Sequence, residues 1–454
     1  MNRFLILIAL LGFLAGCSDD APQISKEDSD ERIALFSDSH IRSVAAAKDI
    51  AAQIASTLNS TSRTTRSLKH DGVTTIVHNN NLSRSESPDT IMYAVEFEDE
   101  QGFVLVSAPD NMPPVIAVIE SGSFNDPRNA EIDAYQFCLA AAKDYIINEG
   151  DFSKNTKVPI EIIPQSYWVV DSVNYKHEPT VKGWWNQQWP YNLYSPKSAG
   201  CTQLATLMAM SVFEEPKTIN YTFTGRDKNS ESINWSEIKR HAESLTFSPD
   251  PNNASSMAQH FNLCKASKES HKTAGRLIRQ IGEILGVDYT KDTLSISVDY
   301  NNAFKAIKYY LPNREFKECT LNAFHELGGY SVAIVIGLET EKDPVTKARN
   351  GHAWIADGIW RLGMARYYYE LEGGGLEVPP TLPDDPSKPR YILTRTEGKI
   401  FEYIHYNWGW DNLSNGWFLS YIFDPSRISI PDPYVIESSK SENFTYRTKY
   451  ICIK

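Results

Sequence analysis

No two of the six cysteines in this 454-residue chain form a CxxC pair, so the usual knuckle of a cysteine zinc site is missing. His325-Glu326 lacks the second histidine of a zinc-protease helix. No metal and no cofactor are expected on these grounds. No basic run stands out against a net charge of −12, which argues against nucleic acid as a partner. Apolar runs of the roughly 20 residues needed to cross a bilayer are also missing. Gly373-Gly374-Gly375 is not followed by the Gly-Lys-Ser/Thr of a phosphate loop, and no internal repeat is found. What remains, 41% hydrophobic and 22% charged with 10 Trp and 23 Tyr, is ordinary for a globular protein of two domains.

The N-terminus stands apart. A short basic start, Met1-Asn2-Arg3, leads into Phe4–Leu14, 11 apolar and glycine residues. That length suits a signal-peptide core. Leu14-Ala15-Gly16-Cys17 resembles the lipobox of bacterial lipoproteins, which implies cleavage after residue 16 and lipidation of Cys17; the alternative is a plain secretory signal with a chance cysteine. The expected location is exported and membrane-anchored, at the outer membrane or cell surface, and Ser18-Asp19-Asp20 resembles an acidic surface-display tag. With Cys17 lipidated, five cysteines remain (Cys138, Cys201, Cys264, Cys319, Cys452). An odd number in an exported protein leaves at least one thiol free.

Residues 1–16 thus read as a signal and 17–40 as an acidic tether without periodicity. From Ile41 to Leu58, Val44, Ala47, Ile50, Ala51, Ile54 and Leu58 recur at helical spacing. Tyr93–Phe97 and Phe103–Ser107, broken at Gly102, read as two strands, Val115–Glu120 as a third, and Ala134–Asn148 as a helix. Residues 41–150 therefore form a small α+β unit. Residues 151–182, with three prolines and no period, read as a linker and processing region. A second domain spans 183–454. It holds a helix at Thr202–Phe213, a mostly helical stretch from Ser256 to Tyr310, strands from Ser331 onward, and an insertion near 360–400 with a glycine- and proline-rich loop at 372–390.

Three elements carry chemistry. Gly200-Cys201 opens the apolar helix, and a helix N-terminus beside an imidazolium lowers a thiol's pKa, giving the thiolate that acts as nucleophile. His352 sits between Gly351 and Ala353, small neighbours that admit a substrate backbone, in a strand expected to pair with Val332–Ile336. His405 competes with it, sharing a strand face with Asn407. Gln187 lies in an aromatic-rich segment before the cysteine, and its amide is of the type that donates to an oxyanion. Packing alone would also account for each of these residues.

Taken together, Trp185-Asn186-Gln187-Gln188-Trp189-Pro190-Tyr191-Asn192, Ala199-Gly200-Cys201, Pro216, Asn350-Gly351-His352-Ala353 with Asp357-Gly358, and Asn407-Trp408-Gly409-Trp410 with Asn415-Gly416-Trp417-Phe418 resemble the streptopain family of papain-like cysteine proteases. Gly102–Ala108 and Pro114–Ala117 resemble its inhibitory propeptide. The resemblance implies an α+β papain-like domain, a helical part plus antiparallel sheet, preceded by a small α+β propeptide. It also implies Cys201 as nucleophile, His352 as acid/base, Gln187 as oxyanion donor, Trp408 packed beside the histidine and Asn407 or its backbone orienting it, with Gly351 and Trp410 at the cleft. Partners would be protein or peptide substrates, the protein's own propeptide, and the membrane through Cys17.

The chain departs from the family pattern at Thr202-Gln203-Leu204-Ala205, usually Val-Ala-Thr-Ala, at Asn350, usually Gly, and at Trp354, usually Phe. Gln203 and the insertion are expected where substrate enters. The reading is an exported endopeptidase made as a self-inhibited zymogen. The alternatives are an inactive surface lipoprotein that binds peptides or host proteins, or an inhibitor of related proteases.

Overall fold

The computed structural model describes residues 41–61, 65–78, 89–150, 165–195, 198–221, 229–244, 252–264, 266–287, 289, 300–319, 332–339, 351–371, 391–411, 413–423 and 446–454. Cys17, the signal, the tether, residues 151–164 and the loop at 372–390 lie outside them.

The N-terminal unit begins with α1 (Val44–Thr61). Its stripe is buried as the spacing requires: Ala47, Ile50, Ala51, Ile54 and Leu58 are within 4% of full burial, while Val44 at the end is 42% exposed. Strands β1 (Leu68–His78), β2 (Asp89–Phe97), β3 (Phe103–Ser107) and β4 (Val115–Ile119) follow, then α2 (Asp133–Glu149). Arg42, itself buried, ties the entrance of α1 to the turn after β3. Its guanidinium donates to the carbonyls of Ser107, Pro109, Asp110 and Met112. Burial, offset in part by Asp110, lowers its pKa to about 9.

The chain continues through β5 (Gln165–His177), α3 (Cys201–Phe213), the ribbon β6 (Thr218–Tyr221) and β7 (Asn229–Ser232), and helices α4 (Trp235–Ser244), α5 (Ala254–Cys264), α6 (Lys268–Ile284) and α7 (Tyr300–Tyr310). It closes with β8 (Phe316–Cys319), β9 (Val332–Glu339), β10 (Gly351–Leu371), β11 (Tyr391–Asn407), β12 (Gly416–Leu419) and β13 (Tyr446–Ile453). Among the described residues, eleven strands make one antiparallel sheet in the order β1-β2-β3-β4-β12-β11-β10-β9-β13-β8, with β5 on β10. Period-two alternation gives it two faces. Ala333, Val335, Trp354 and Ala356 join the core beneath α1 and α2, and Val332, Ile334, Ile336, Ala353 and Ile355 join the core beneath α3, α6 and α7.

One edge relationship governs the rest. Strand β4 of the N-terminal unit pairs with β12, with Gly416 opposite Ile119 and Phe418 opposite Ala117. The free edge of the C-terminal sheet is thereby closed by strand addition. Gly416 makes the approach possible, since a Cβ there would lie 2.3 Å from the Val118 carbonyl oxygen.

Two sequence expectations need correction. The stretch read as a linker contains β5, which pairs with β10 from Ile359↔His177 to Tyr369↔Gln165. Much of the expected insertion is a long β10–β11 hairpin, paired from Ile355↔Asn407 to Leu371↔Tyr391. Both pairings are nonlocal, and mixed-polarity strands of this kind leave little local period.

Candidate active site

Helix α3 packs on β9 and β10 with Leu204, Leu207 and Met208 fully buried. Gly200 precedes it with φ 88°. Only glycine suits this position, because a Cβ would also strike the Gln203 amide at 2.4 Å. The sharp turn leaves Cys201 as the first residue of the helix, half-buried and with a free thiol. Burial alone would raise the thiol's pKa. The charge of His352 and its hydrogen bond, an N–H from the Ala353 backbone and the Thr202 hydroxyl outweigh this, and the net direction is down. The other two thiols among the described residues that are free go the opposite way: burial raises Cys138 well above its ordinary value and also raises Cys264.

His352 enters on β10, opposite Gly337 of β9, and is 6% exposed. Its Nε2 lies 3.4 Å from the Trp408 backbone carbonyl. A carbonyl only accepts, so Nε2 carries the proton and Nδ1 is left for the thiol. The Trp354 ring stacks against the imidazole, with centroids 6.3 Å apart and planes at 17°. The Trp408 indole in turn tilts against Trp354 at 5.6 Å. Asn407 does not orient the ring through its amide: its Oδ1 accepts from Gly409 N–H at 3.1 Å, which holds the turn that presents the Trp408 carbonyl. Asn415 Oδ1 accepts from Trp408 N–H, and the Ser414 carbonyl accepts from Trp408 Nε1.

Gln187 reaches the same region by backbone and side chain. Its carbonyl accepts from Ala199 N–H at 2.8 Å, and its Oε1 accepts from Ser198 Oγ at 3.1 Å. With Oε1 engaged, the donors left on the amide are those of Nε2. Asn186 Nδ2 donates to Asp411 Oδ1 at 2.6 Å, and Asp411 N–H donates to the Trp185 carbonyl. These bonds lock the Gln187 segment to the turn carrying half-buried Trp410. Gly351 begins β10 opposite Leu338.

Gln203 is not in the substrate path. It is 1% exposed, packed beneath Gly200. His405 is placed elsewhere as well. It is buried, with Nδ1 2.6 Å from Asp357 Oδ1 and Nε2 3.6 Å from Glu120 Oε2. Burial opposes its charge, but Asp357 and Glu120 raise its pKa to about 10. Trp354, Ser198 and the Trp408 carbonyl are site components that residue type alone did not single out. Trp354 could have been found from its i+2 position on the His352 strand.

A lowered thiol at a helix start, an imidazole with one nitrogen fixed by a carbonyl, and an amide with free donors beside the thiol's loop are the equipment of a thiol peptidase. The chain belongs to the peptidase C10 family, which matches residues 185–418, and residues 41–146 match the Spi protease inhibitor family. It is a self-inhibited cysteine endopeptidase carrying its inhibitor domain in the same chain. Comparison with curated proteins finds no match. Among solved structures, a prointerpain A fragment from Prevotella intermedia, a Cys-to-Ala mutant, is similar at 13% identity over 83% of this chain and 98% of that one, with TM-score 0.44. Active wild-type interpain A cysteine protease from the same organism is similar at 13% identity over 62% of this chain and 98% of that one, with TM-score 0.33.

Proposed function

We propose that Cys201 is the nucleophile, His352 the general acid/base and the Gln187 amide the oxyanion donor of this peptidase. The Cys201 thiolate attacks a peptide carbonyl, and the oxyanion is held by Gln187 Nε2 and the Cys201 backbone N–H. The His352 imidazolium protonates the leaving amine to give an acyl-enzyme, and water deprotonated by His352 then releases the acyl group. One observation carries this assignment: the thiol lowered by His352 is the one whose partner ring is tethered through Nε2 to Trp408. Labelling with an irreversible thiol-protease probe tests it, with wild type reacting at residue 201 and Cys201→Ala not reacting.

Latency follows from the added strand. β4 binds β12, whose neighbouring turn supplies both the Trp408 carbonyl and Trp410. Ser414 Oγ of that turn donates to Asn129 Oδ1, and Glu120 N–H donates to the Asn415 carbonyl. Activation cleavage belongs between residues 150 and 165, because β5 is zipped onto β10 and further fixed by its Val170 N–H donating to Gln53 Oε1.

The proposed location is the outer membrane or cell surface, through a lipid on Cys17. The Phe4–Leu14 run ending at Gly16-Cys17 supports this. So does the disulfide at Cys452, which fits an oxidising compartment. Among the described residues no helix is long and apolar enough to cross a membrane. Mass spectrometry of membrane-extracted protein tests the anchor, and an unmodified N-terminus would contradict it.

A further inference from the structure

Away from Cys201, three helices converge on a second cluster. His241 on α4, His260 on α5 and His271 on α6 are all buried, with ligand-capable nitrogens within 4.8 Å of one another. His241 Nε2 is 3.0 Å from His260 Nε2. Cys264, one turn beyond His260 on α5, places its Sγ 3.6 Å from that same nitrogen. Two nitrogens on one tetrahedral zinc would stand about 3.4 Å apart, and a nitrogen and a thiolate sulfur about 3.6 Å, given ordinary zinc bond lengths. The His241–His260 and His260–Cys264 spacings lie close to these values.

We propose that His241, His260 and His271, with Cys264 Sγ as the fourth ligand, form a tetrahedral zinc(II) site that braces the helical half of the catalytic domain and the Gln187 segment. The proposal is independent of the roles assigned at Cys201. The surroundings are built for fixed rings. Tyr191 Oη lies 3.4 Å from His241 Nδ1. With Nε2 on the metal, Nδ1 carries the ring proton and donates it to that oxygen. Glu237, one turn before His241, accepts from Ser267 N–H at 3.0 Å and from the hydroxyls of Ser267 and Ser270, clamping α4 to the start of α6. Trp189 lies against all three rings, 5.0 Å from His260, 5.0 Å from His271 and 6.2 Å from His241. Trp189 and Tyr191 follow Gln187 by two and four residues, so the cluster holds the segment that positions the oxyanion amide. On binding, the Cys264 S–H bond breaks, its proton goes to solvent, and a zinc–sulfur bond forms.

The test uses the full chain with Cys201→Ala, so that the active-site thiol cannot bind metal. Stripped protein is titrated with cobalt(II) and with zinc(II). The site should take up about one equivalent of either ion. Cobalt should show the intense visible bands of tetrahedral coordination and a thiolate charge-transfer band, and zinc should raise the melting temperature reversibly to chelator. Cys264→Ser should abolish the charge-transfer band, and His260→Gln should weaken zinc binding by about 100-fold or more. If His260→Gln does not fold, the cobalt spectrum of Cys264→Ser decides. Stoichiometry far below one, a pale octahedral cobalt spectrum, or zinc affinity unchanged in the variants would overturn the proposal and leave a hydrogen-bonded imidazole cluster only.

Discussion

Trp417 Nε1 on β12 donates to Glu120 Oε1 at the end of β4, 2.8 Å away, so a residue of the inhibitor unit is hydrogen-bonded to the catalytic sheet. Glu120 Oε2 faces His405 Nε2 at 3.6 Å, and His405 is held from behind by Asp357. Asp357 Oδ2 in turn accepts from Val181 N–H at 2.7 Å. Farther along the same boundary Arg366 of β10 pairs with Asp110 at 2.9 Å, and Tyr403 Oη donates to the Val115 carbonyl. The histidine that rivalled His352 in the sequence is therefore part of the contact between the inhibitor unit and the catalytic sheet.

The dock should tolerate mild acid. Burial opposes ionised Glu120, but His405 and Trp417 lower its pKa from 4.5 to about 2, so its contribution is complete above 4.5 and lost as pH falls toward 2. Against burial, His405 is raised to about 10 first by Asp357, which stays beside it when the two units part, and then by Glu120; only the Glu120 share strengthens the dock, and it is lost as pH rises through 10. Both are in force at pH 5. In a Cys201→Ala chain cut between residues 150 and 165, the two pieces should co-elute at pH 5 and separate more readily above pH 9. Separation at pH 5 would contradict this. Glu120→Gln should raise their dissociation constant by about tenfold.

Gly416→Ala should free the enzyme from its inhibitor without harming the site. The added methyl would collide with the Val118 carbonyl in the docked form only, and overpacking of this kind would weaken docking by about tenfold or more. The full-length variant should shorten itself faster than wild type, while the shortened enzyme keeps wild-type kcat. Equal shortening rates would show that β4–β12 pairing does not control latency.

The two histidines should separate by phenotype. His352→Ala should lower kcat/KM by roughly 10^2–10^4-fold with the melting temperature little changed. His405→Ala leaves the Asp357 and Glu120 carboxylates without their buried counter-charge, so it should lower the melting temperature while well-folded protein keeps its kcat. The reverse ranking, measured on folded protein, would move the acid/base to β11.

Much of this was legible where structure is local. The α1 stripe, the β2–β3 hairpin around Gly102 and the pairing of His352's strand with Val332–Ile336 follow from period alone. β5 was not legible because Val173 and Tyr175 are exposed while Tyr167 and Trp168 are buried, a pattern that only its partner β10 explains. At the site, residue types pointed to Cys201 and His352, but the atom that fixes the imidazole is a backbone carbonyl, which no side chain announces. The histidine cluster escaped for a related reason. Its members come from three helices, and of its possible ligands only His260 and Cys264 share a helix, so a search for paired cysteines could not find it.

The central claim is tested most directly by mass-spectrometric mapping of thiol alkylation against pH on the shortened enzyme. Cys138 is a buried thiol raised by that burial and Cys264 is buried among the helices, whereas Cys201 is lowered by His352. The account predicts that near pH 6 the reagent modifies Cys201 alone, that activity disappears in step with that modification, and that His352→Ala shifts the reaction to higher pH. Alkylation of Cys201 only at the alkaline pH of an ordinary thiol, or loss of activity with Cys201 unmodified, would contradict it.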